Sequence, residues 1–310
     1  PTVGHDAGMF AQAGIPAAVD SAAICRTTST CSSCWPASRK ICRARAFATP
    51  LPFTLRNSFM SHRFHLSLLL TLFPGLLAGC GTSGSPASGS VPSPVLKWLA
   101  SAGVKNSSDV APANNDSLNS WTDQIAGVVA SWESARPKYN TGIQNGLGGI
   151  TFPSTSRFVQ ASLGMTLTTG TAFCVFKKDS SSGTYQFCFD SESASGRWII
   201  ARDNSSPSTK LLCSAGGTNL ISSSTLSNST AYIAGAVFNG ASSSAWLNGT
   251  SVASGNPGSD ALSSIQIGSQ NNGTLQWSGY IMEIRFYSTP LGTSDIGSVF
   301  TELNSTYAVY

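Results

Sequence analysis

"AYIAGAVFNGASSSAWLNGTSVASG", residues 231–255, reads as strand, loop, strand, tight turn, strand. Ala231–Phe238 and Ser244–Leu247 are short apolar runs, and Asn248-Gly249 joins the second to "TSVAS". Asn-Gly supplies the two positive φ angles of a type I′ turn, whose twist matches that of a β-hairpin. The same grammar extends outward in both directions. Upstream stand "VLKWLA" (95–100), "GITF" (149–152), "RFVQA" (157–161), "TAFCVF" (171–176), "YQFCF" (185–189), "RWIIA" (197–201) and "KLLC" (210–213). Downstream come "SIQIG" (264–268) and "YIMEIRFY" (280–287). Gly, Ser, Asn and Pro separate these runs at the spacing of an all-β sandwich. In the last run, alternation puts Tyr280, Met282, Ile284 and Phe286 on one face and leaves Glu283, Arg285 and Tyr287 partly wet. After it, "TSDIGSVFTELNSTY" places Ile296, Val299, Phe300, Leu303 and Tyr307 on one helical face behind a polar cap. No internal repeat is present.

The start of the chain obeys different rules. "LLAGC" (76–80) resembles the lipobox of bacterial lipoproteins, in which Cys80 becomes the lipidated residue. Leu66–Leu77 is too short an apolar stretch to span a bilayer, and "MSHRFH" before it supplies a charged start. Residues 60–79 are therefore expected to be a signal peptide with Met60 as the start, and residues 80–94 a Gly/Ser/Pro tether. Residues 1–59 are expected to be a disordered, out-of-frame leader. Within them "GHDAGMFAQAGIPAAV" (4–19) resembles a fragment of metal-dependent amidohydrolases of the carbamoyl-amino-acid-hydrolase type, and it breaks off at Asp20. Cys31 and Cys34 form a CxxC, but no second pair follows at zinc-ribbon spacing.

Charge follows the same division. The net +4 belongs to the leader, because from Cys80 onward eleven basic residues face twelve acidic ones. That balance excludes a basic footprint for nucleic acid. All three histidines, His5, His62 and His65, precede Cys80. Histidine-dependent triads, general bases and metal sites are thereby excluded from the domain. Cys174 and Cys188 flank "DSSSG" symmetrically about Ser181, so a hairpin there would set them opposite one another. Either a cross-strand disulfide or two buried thiols would fit, with Cys213 left unpaired.

"LKWLASAGV…LNSWTDQIAG" near residue 96, the hairpin of 231–255, and "IQIGSQNNGTLQWSGYIMEIRFYSTPLGTSDIGSVFTELNSTY" together resemble laminin-G-like, concanavalin A-like jelly-roll domains of bacterial surface proteins. The resemblance covers residues 95–310. It implies two antiparallel sheets with a short C-terminal helix, and it leaves function open, since this fold hosts lectins, glycosidases, adhesive modules and spacers.

Retaining β-glucanases of this fold carry Glu-x-Asp-x-Glu on one strand. The nearest match is "CFDSE", in which Cys188 occupies the nucleophile position ahead of Asp190 and Glu192. Without a paired carboxylate at about 5 Å, double displacement has no first step, so no catalytic residue is expected. Relatives of the fold also bind Ca²⁺ through Asp and Asn oxygens. Pro153-Ser154 replaces the Asp-Gly common after the "ITF" strand, which leaves Asp190, Asp203 and Asn204 as metal candidates or as ordinary turn residues. No other cofactor is implied. For a sugar, the candidates are Trp277 with Asn271 and Asn272 beside it, and Trp132 with Arg136. Trp198 and Trp246 read as core.

The expected function is a non-catalytic, lipid-anchored recognition or adhesion module of the bacterial envelope. Its partners would be a glycan, another envelope protein, and the membrane through Cys80. Gly81 gives no inner-membrane retention signal, which favours the outer membrane or cell surface. The alternatives are a polysaccharide-active hydrolase and an inert structural spacer.

Overall fold

The computed structural model describes residues 92–310 apart from 154, 161, 180–183 and 206–208. The leader, the signal segment and Cys80 lie outside the described residues. In chain order the strands are β1 (Leu96–Leu99), β2 (Val104–Asn106), β3 (Leu118–Thr122), β4 (Val129–Glu133), β5 (Lys138–Gln144) and β6 (Leu147–Thr151). They continue as β7 (Arg157–Gln160), β8 (Gly170–Lys178), β9 (Gln186–Asp190), β10 (Ile199–Arg202), β11 (Lys210–Ser214) and β12 (Leu220–Thr225). The last are β13 (Thr230–Phe238), β14 (Ser243–Leu247), β15 (Thr250–Gly255), β16 (Ile265–Ile267) and β17 (Gly279–Tyr287), followed by helix α1 (Thr293–Tyr307).

These strands form two facing antiparallel sheets. One has eight strands in the order β15-β14-β13-β8-β17-β6-β5, with β1 also pairing β17. The other has nine, in the order β12-β11-β10-β9-β16-β7-β4-β3-β2. Their inner faces enclose one core that includes Trp98, Trp121, Phe158, Phe176, Phe189, Trp198 and Phe286. Trp198 stacks on Phe238 at 4.5 Å, and its indole N–H donates to the Asp260 carbonyl at 2.8 Å. A buried tryptophan thus keeps both its apolar contact and its one hydrogen bond. The Asn248-Gly249 turn forms as read: φ is +48° and +78°, and the Asn248 side-chain oxygen accepts the Ile233 N–H at 2.9 Å.

Three expectations are corrected. The hairpin at Ser181 does not form, because β8 belongs to the eight-stranded sheet and β9 to the nine-stranded one. Cys174 and Cys188 instead meet across the core from opposite sheets, and with Cys213 they are buried free thiols, the second of the two alternatives that the sequence left open. Both runs are continuously apolar, a pattern that marks a strand buried on two faces without naming its partner. Alternation along β17 slips at a bulge between Ile281 and Glu283. Ile281, Ile284 and Phe286 enter the core, while Met282 and Tyr287 join a second cluster beneath α1. Glu283 and Arg285 are consequently buried, not wet. Finally, α1 starts after Gly292, which offers no side-chain cap. Its anticipated apolar face is correct: Ile296, Val299, Phe300, Leu303 and Tyr307 all pack on the eight-stranded sheet.

Candidate functional site

Helix α1 covers the outer face of the eight-stranded sheet, and no helix covers the corresponding face of the nine-stranded one among the described residues. That open face is unexpectedly apolar at one end. Inward from β10 and β11 point Ile200, Leu211 and Cys213. Outward point Ile199, Ala201 and Leu212, which join Phe187 of β9 in a separate cluster with Tyr185 and Leu275. "WIIA" and "KLLC" are apolar on both faces for this reason: one face serves the core and the other floors a cleft of about 290 Å³.

Two loops wall the cleft. The segment after β16 folds back through Trp277 N–H to the Gly268 carbonyl and Gln270 N–H to the Thr274 carbonyl, both 2.9 Å. It presents Gln270 and Leu275. Leu275 adopts φ +55°, a conformation disfavoured for a branched side chain. Its carbonyl accepts the Phe187 N–H at 3.2 Å, which ties it to the edge of the floor. The opposite wall is the β11–β12 turn, with Gly216, Gly217 and Asn219. A Cβ on Gly216 would lie 2.0 Å from an Asp260 carboxylate oxygen, so this turn requires glycine.

Arg197 stands at the mouth, fixed from behind. Its Nε donates to Asp190 Oδ1 at 2.9 Å and its Nη2 to Oδ2. The same carboxylate accepts the backbone N–H groups of Ser191 at 2.8 Å and Asn271 at 3.0 Å. Asp190 is fully buried, and these four donors account for its oxygens. The Asp260 carboxylate holds the Arg197 backbone N–H at 3.2 Å. By contrast, the Tyr185 hydroxyl, Arg197 Nη1, the Ser214 hydroxyl and the side-chain amides of Asn219 and Gln270 make no hydrogen bond to other described residues. Five uncommitted polar groups thus ring an apolar floor, and no carboxylate lines it.

The residues anticipated from sequence are scattered around this cleft. Trp277 is 1 % exposed and packs on Phe176 at 4.7 Å, so it cannot present a face to a sugar. Asn271 contributes its backbone to Asp190, and Asn272 accepts the Thr274 N–H at 3.1 Å within its own turn. Trp132 lies on β4, three strands from β9, or about 14 Å across the sheet. The Arg136 guanidinium sits 4.6 Å over the Trp132 ring and occupies that stacking face. Asp190 and Asp203 fall at opposite ends of the β9–β10 pair, roughly 15 Å apart along the strands. Asp203 accepts the Lys210 N–H at 2.7 Å and the Ser205 hydroxyl. Asp190 and Asp203 are therefore too far apart to share one ion with Asn204, and no group of three His, Cys, Asp or Glu side chains that could hold a metal occurs among the described residues. Glu192 is exposed and outside the cleft lining.

Sequence reading missed Tyr185, Arg197, Ser214, Asn219 and Gln270. The available signal was the unbroken apolar character of β9–β11, which left an outward apolar face in need of an occupant.

No curated protein matches the sequence. Among solved structures, domain 4 of an extracellular arabinanase from Geobacillus stearothermophilus, determined with arabinotriose, is similar at 14% identity and a TM-score of 0.43. The match covers 54% of this chain and 82% of that one. The sialidase of Trypanosoma rangeli is similar at 15% identity and a TM-score of 0.45, over 69% of this chain and 34% of the sialidase. The binding domain of botulinum neurotoxin serotype D is similar at 12% identity and a TM-score of 0.45, over 68% of this chain and 51% of that domain. Residues 148–297, from β6 into the first turn of α1, match the family described as the concanavalin A-like lectin/glucanases superfamily, whose jelly-roll sandwich the two facing sheets form.

Proposed function

We propose that the domain is a non-catalytic carbohydrate-recognition module that binds a neutral glycan in the cleft on its nine-stranded sheet. The observation that carries this reading is the ring of uncommitted polar side chains around the apolar floor of Phe187, Ile199, Leu212 and Leu275. Sugars present hydroxyl groups at their edges and C–H groups on their faces, and a site of this kind meets both. Asp190 supports the non-catalytic part, because its oxygens are committed to Arg197 and to backbone amides. A hydrolase would need a second carboxylate within reach of the same bond.

A single shallow cleft should bind on the order of 0.1–1 mM. Useful retention would then come from many copies displayed together. The test is retention of the purified protein on immobilised neutral polysaccharides at low and high salt, with Asn219→Ala as the cleft variant. Retention that survives high salt and drops in Asn219→Ala is expected. Failure of both sparse and dense displays to retain any glycan would leave the spacer role. Release of reducing sugar, abolished by Asp190→Asn or Glu192→Gln, would establish the hydrolase instead.

The reading extends to a tethered product lipidated on Cys80 in the bacterial envelope. Acyl-chain insertion contributes about 0.8 kcal/mol per buried CH₂. Mass spectrometry of the mature N-terminus in the native host tests this, and recovery of peptides from residues 1–59 would overturn it.

A further inference from the structure

We propose that the cleft selects sugars bearing an N-acetyl group, with the acetamido methyl seated on the aliphatic floor. This rests on the carbohydrate-recognition reading and narrows it to a ligand class. Three observations carry it.

The floor has the wrong shape for stacking a bare pyranose ring. Such stacking uses a broad aromatic face, yet Phe187 is 5% exposed, Trp277 is buried in the core, and Tyr185 stands at the rim. Ile199 at 5% and Leu212 at 2% exposure show only edges beside Phe187, so the aliphatic group with most surface in the cleft is the half-buried Leu275 at its side. Small aliphatic side chains enclose a methyl group well and a hydroxylated ring edge poorly. The strained φ of Leu275 brings one more such side chain to the floor.

The rim supplies both halves of an amide's hydrogen bonding. Arg197 Nη1 donates only, so it suits the acetamido carbonyl. Asn219 and Gln270 each carry an acceptor as well as donors, so either can take the acetamido N–H. None of these atoms has to leave a protein partner first.

The charge gives an acidic substituent little advantage over a neutral one. Arg197 is the one cation lining the cleft, and the buried Asp190 carboxylate already matches its charge through two hydrogen bonds. A uronate or sialate carboxylate placed at Nη1 would meet a guanidinium whose charge the Asp190 carboxylate already offsets. At about 290 Å³ the cleft sits at the small end of ligand sites and suits one sugar residue with its substituent.

The experiment compares two trisaccharides of the same linkage, N,N′,N″-triacetylchitotriose and cellotriose, by titration of the purified full-length protein. They differ only at C2 of each residue, acetamido in one and hydroxyl in the other. Burial of the methyl and two added hydrogen bonds should favour the acetylated trisaccharide by about tenfold or more. Asn219→Ala, an exposed position, should shrink that ratio at unchanged stability. Ile199→Thr should shrink it further, with its thermal midpoint recorded to separate binding from folding. Equal affinity for the two trisaccharides would overturn the acetamido assignment while leaving carbohydrate recognition intact. So would a preference for an acidic trisaccharide such as tri-galacturonate. Absence of binding to every glycan, on a folded protein, would remove the recognition reading itself.

Discussion

Asp190 decides how much of the cleft is built in advance. Four hydrogen bonds converge on a carboxylate with no solvent access, two of them from Arg197 and two from the backbone of separate loops. Asp190→Ala should cost about 2–4 kcal/mol, because it strands the Arg197 guanidinium and two backbone amides at once. Asp190→Asn keeps one acceptor oxygen and should cost less. Urea midpoints of the two variants test the order, and equal losses would refute the paired-charge account. Leu275 offers the converse experiment. Its left-handed backbone, φ +55°, costs about 1–2 kcal/mol. Leu275→Gly removes that strain together with part of the apolar wall. The outcome expected is weaker glycan retention at stability close to the parent, read by retention and thermal midpoint on one preparation.

Helix α1 is held by its apolar face and by a buried polar network. Beneath it the Glu283 carboxylate pairs with Arg285, accepts the Tyr307 hydroxyl at 2.9 Å and lies 3.7 Å from the Lys97 ammonium. Arg285 reaches on to Glu302 of the helix at 3.0 Å. Burial pushes the Tyr307 hydroxyl far above its ordinary value, and the Glu283 charge and hydrogen bond add to the rise. A raised folded value means that the stabilisation is complete below the ordinary tyrosine range, near pH 10, and is lost as pH climbs above it. Tyr307→Phe should therefore lower stability at pH 7 by about 1–2 kcal/mol and flatten the alkaline decline. Urea melts at pH 7 and near pH 11 would show it; parallel curves for parent and variant would argue against the role. This element also shows what sequence could reveal. Its apolar face was legible because five side chains repeat at helical spacing. The central strands were legible because their apolar runs are bounded by turn residues. Strands β2 to β5 and β12 were not, since "VKN", "NSWT", "ASWE", "YNTG" and "ISSS" carry too little apolar pattern to mark a strand at the sheet margins. The cleft residues were hidden for a different reason: Arg197, Asn219 and Gln270 become a site only when three separate loops meet, and no local pattern encodes that meeting.

Across the whole molecule the inter-sheet core seals Cys174, Cys188 and Cys213 from solvent. Burial raises the Cys188 and Cys213 thiols well above their ordinary range, which removes the reactive thiolate at neutral pH. Thiol reagents should leave all three untouched in the native state and modify them together once the sandwich opens. Reaction of one ahead of the others would mean that the sheets separate piecemeal. The pairing of β1 with β17 has its own consequence. Leu96 is registered with Phe286, and β17 lies between β8 and β6 near the middle of its sheet. The last of the described strands in chain order therefore completes the centre of the sheet, not its margin. A nascent chain ending before Gly279 lacks that centre and should remain protease-sensitive and extended on the ribosome. Folding therefore waits until β17 has emerged, and a ribosome stalled before Gly279 carries a sandwich that has not closed.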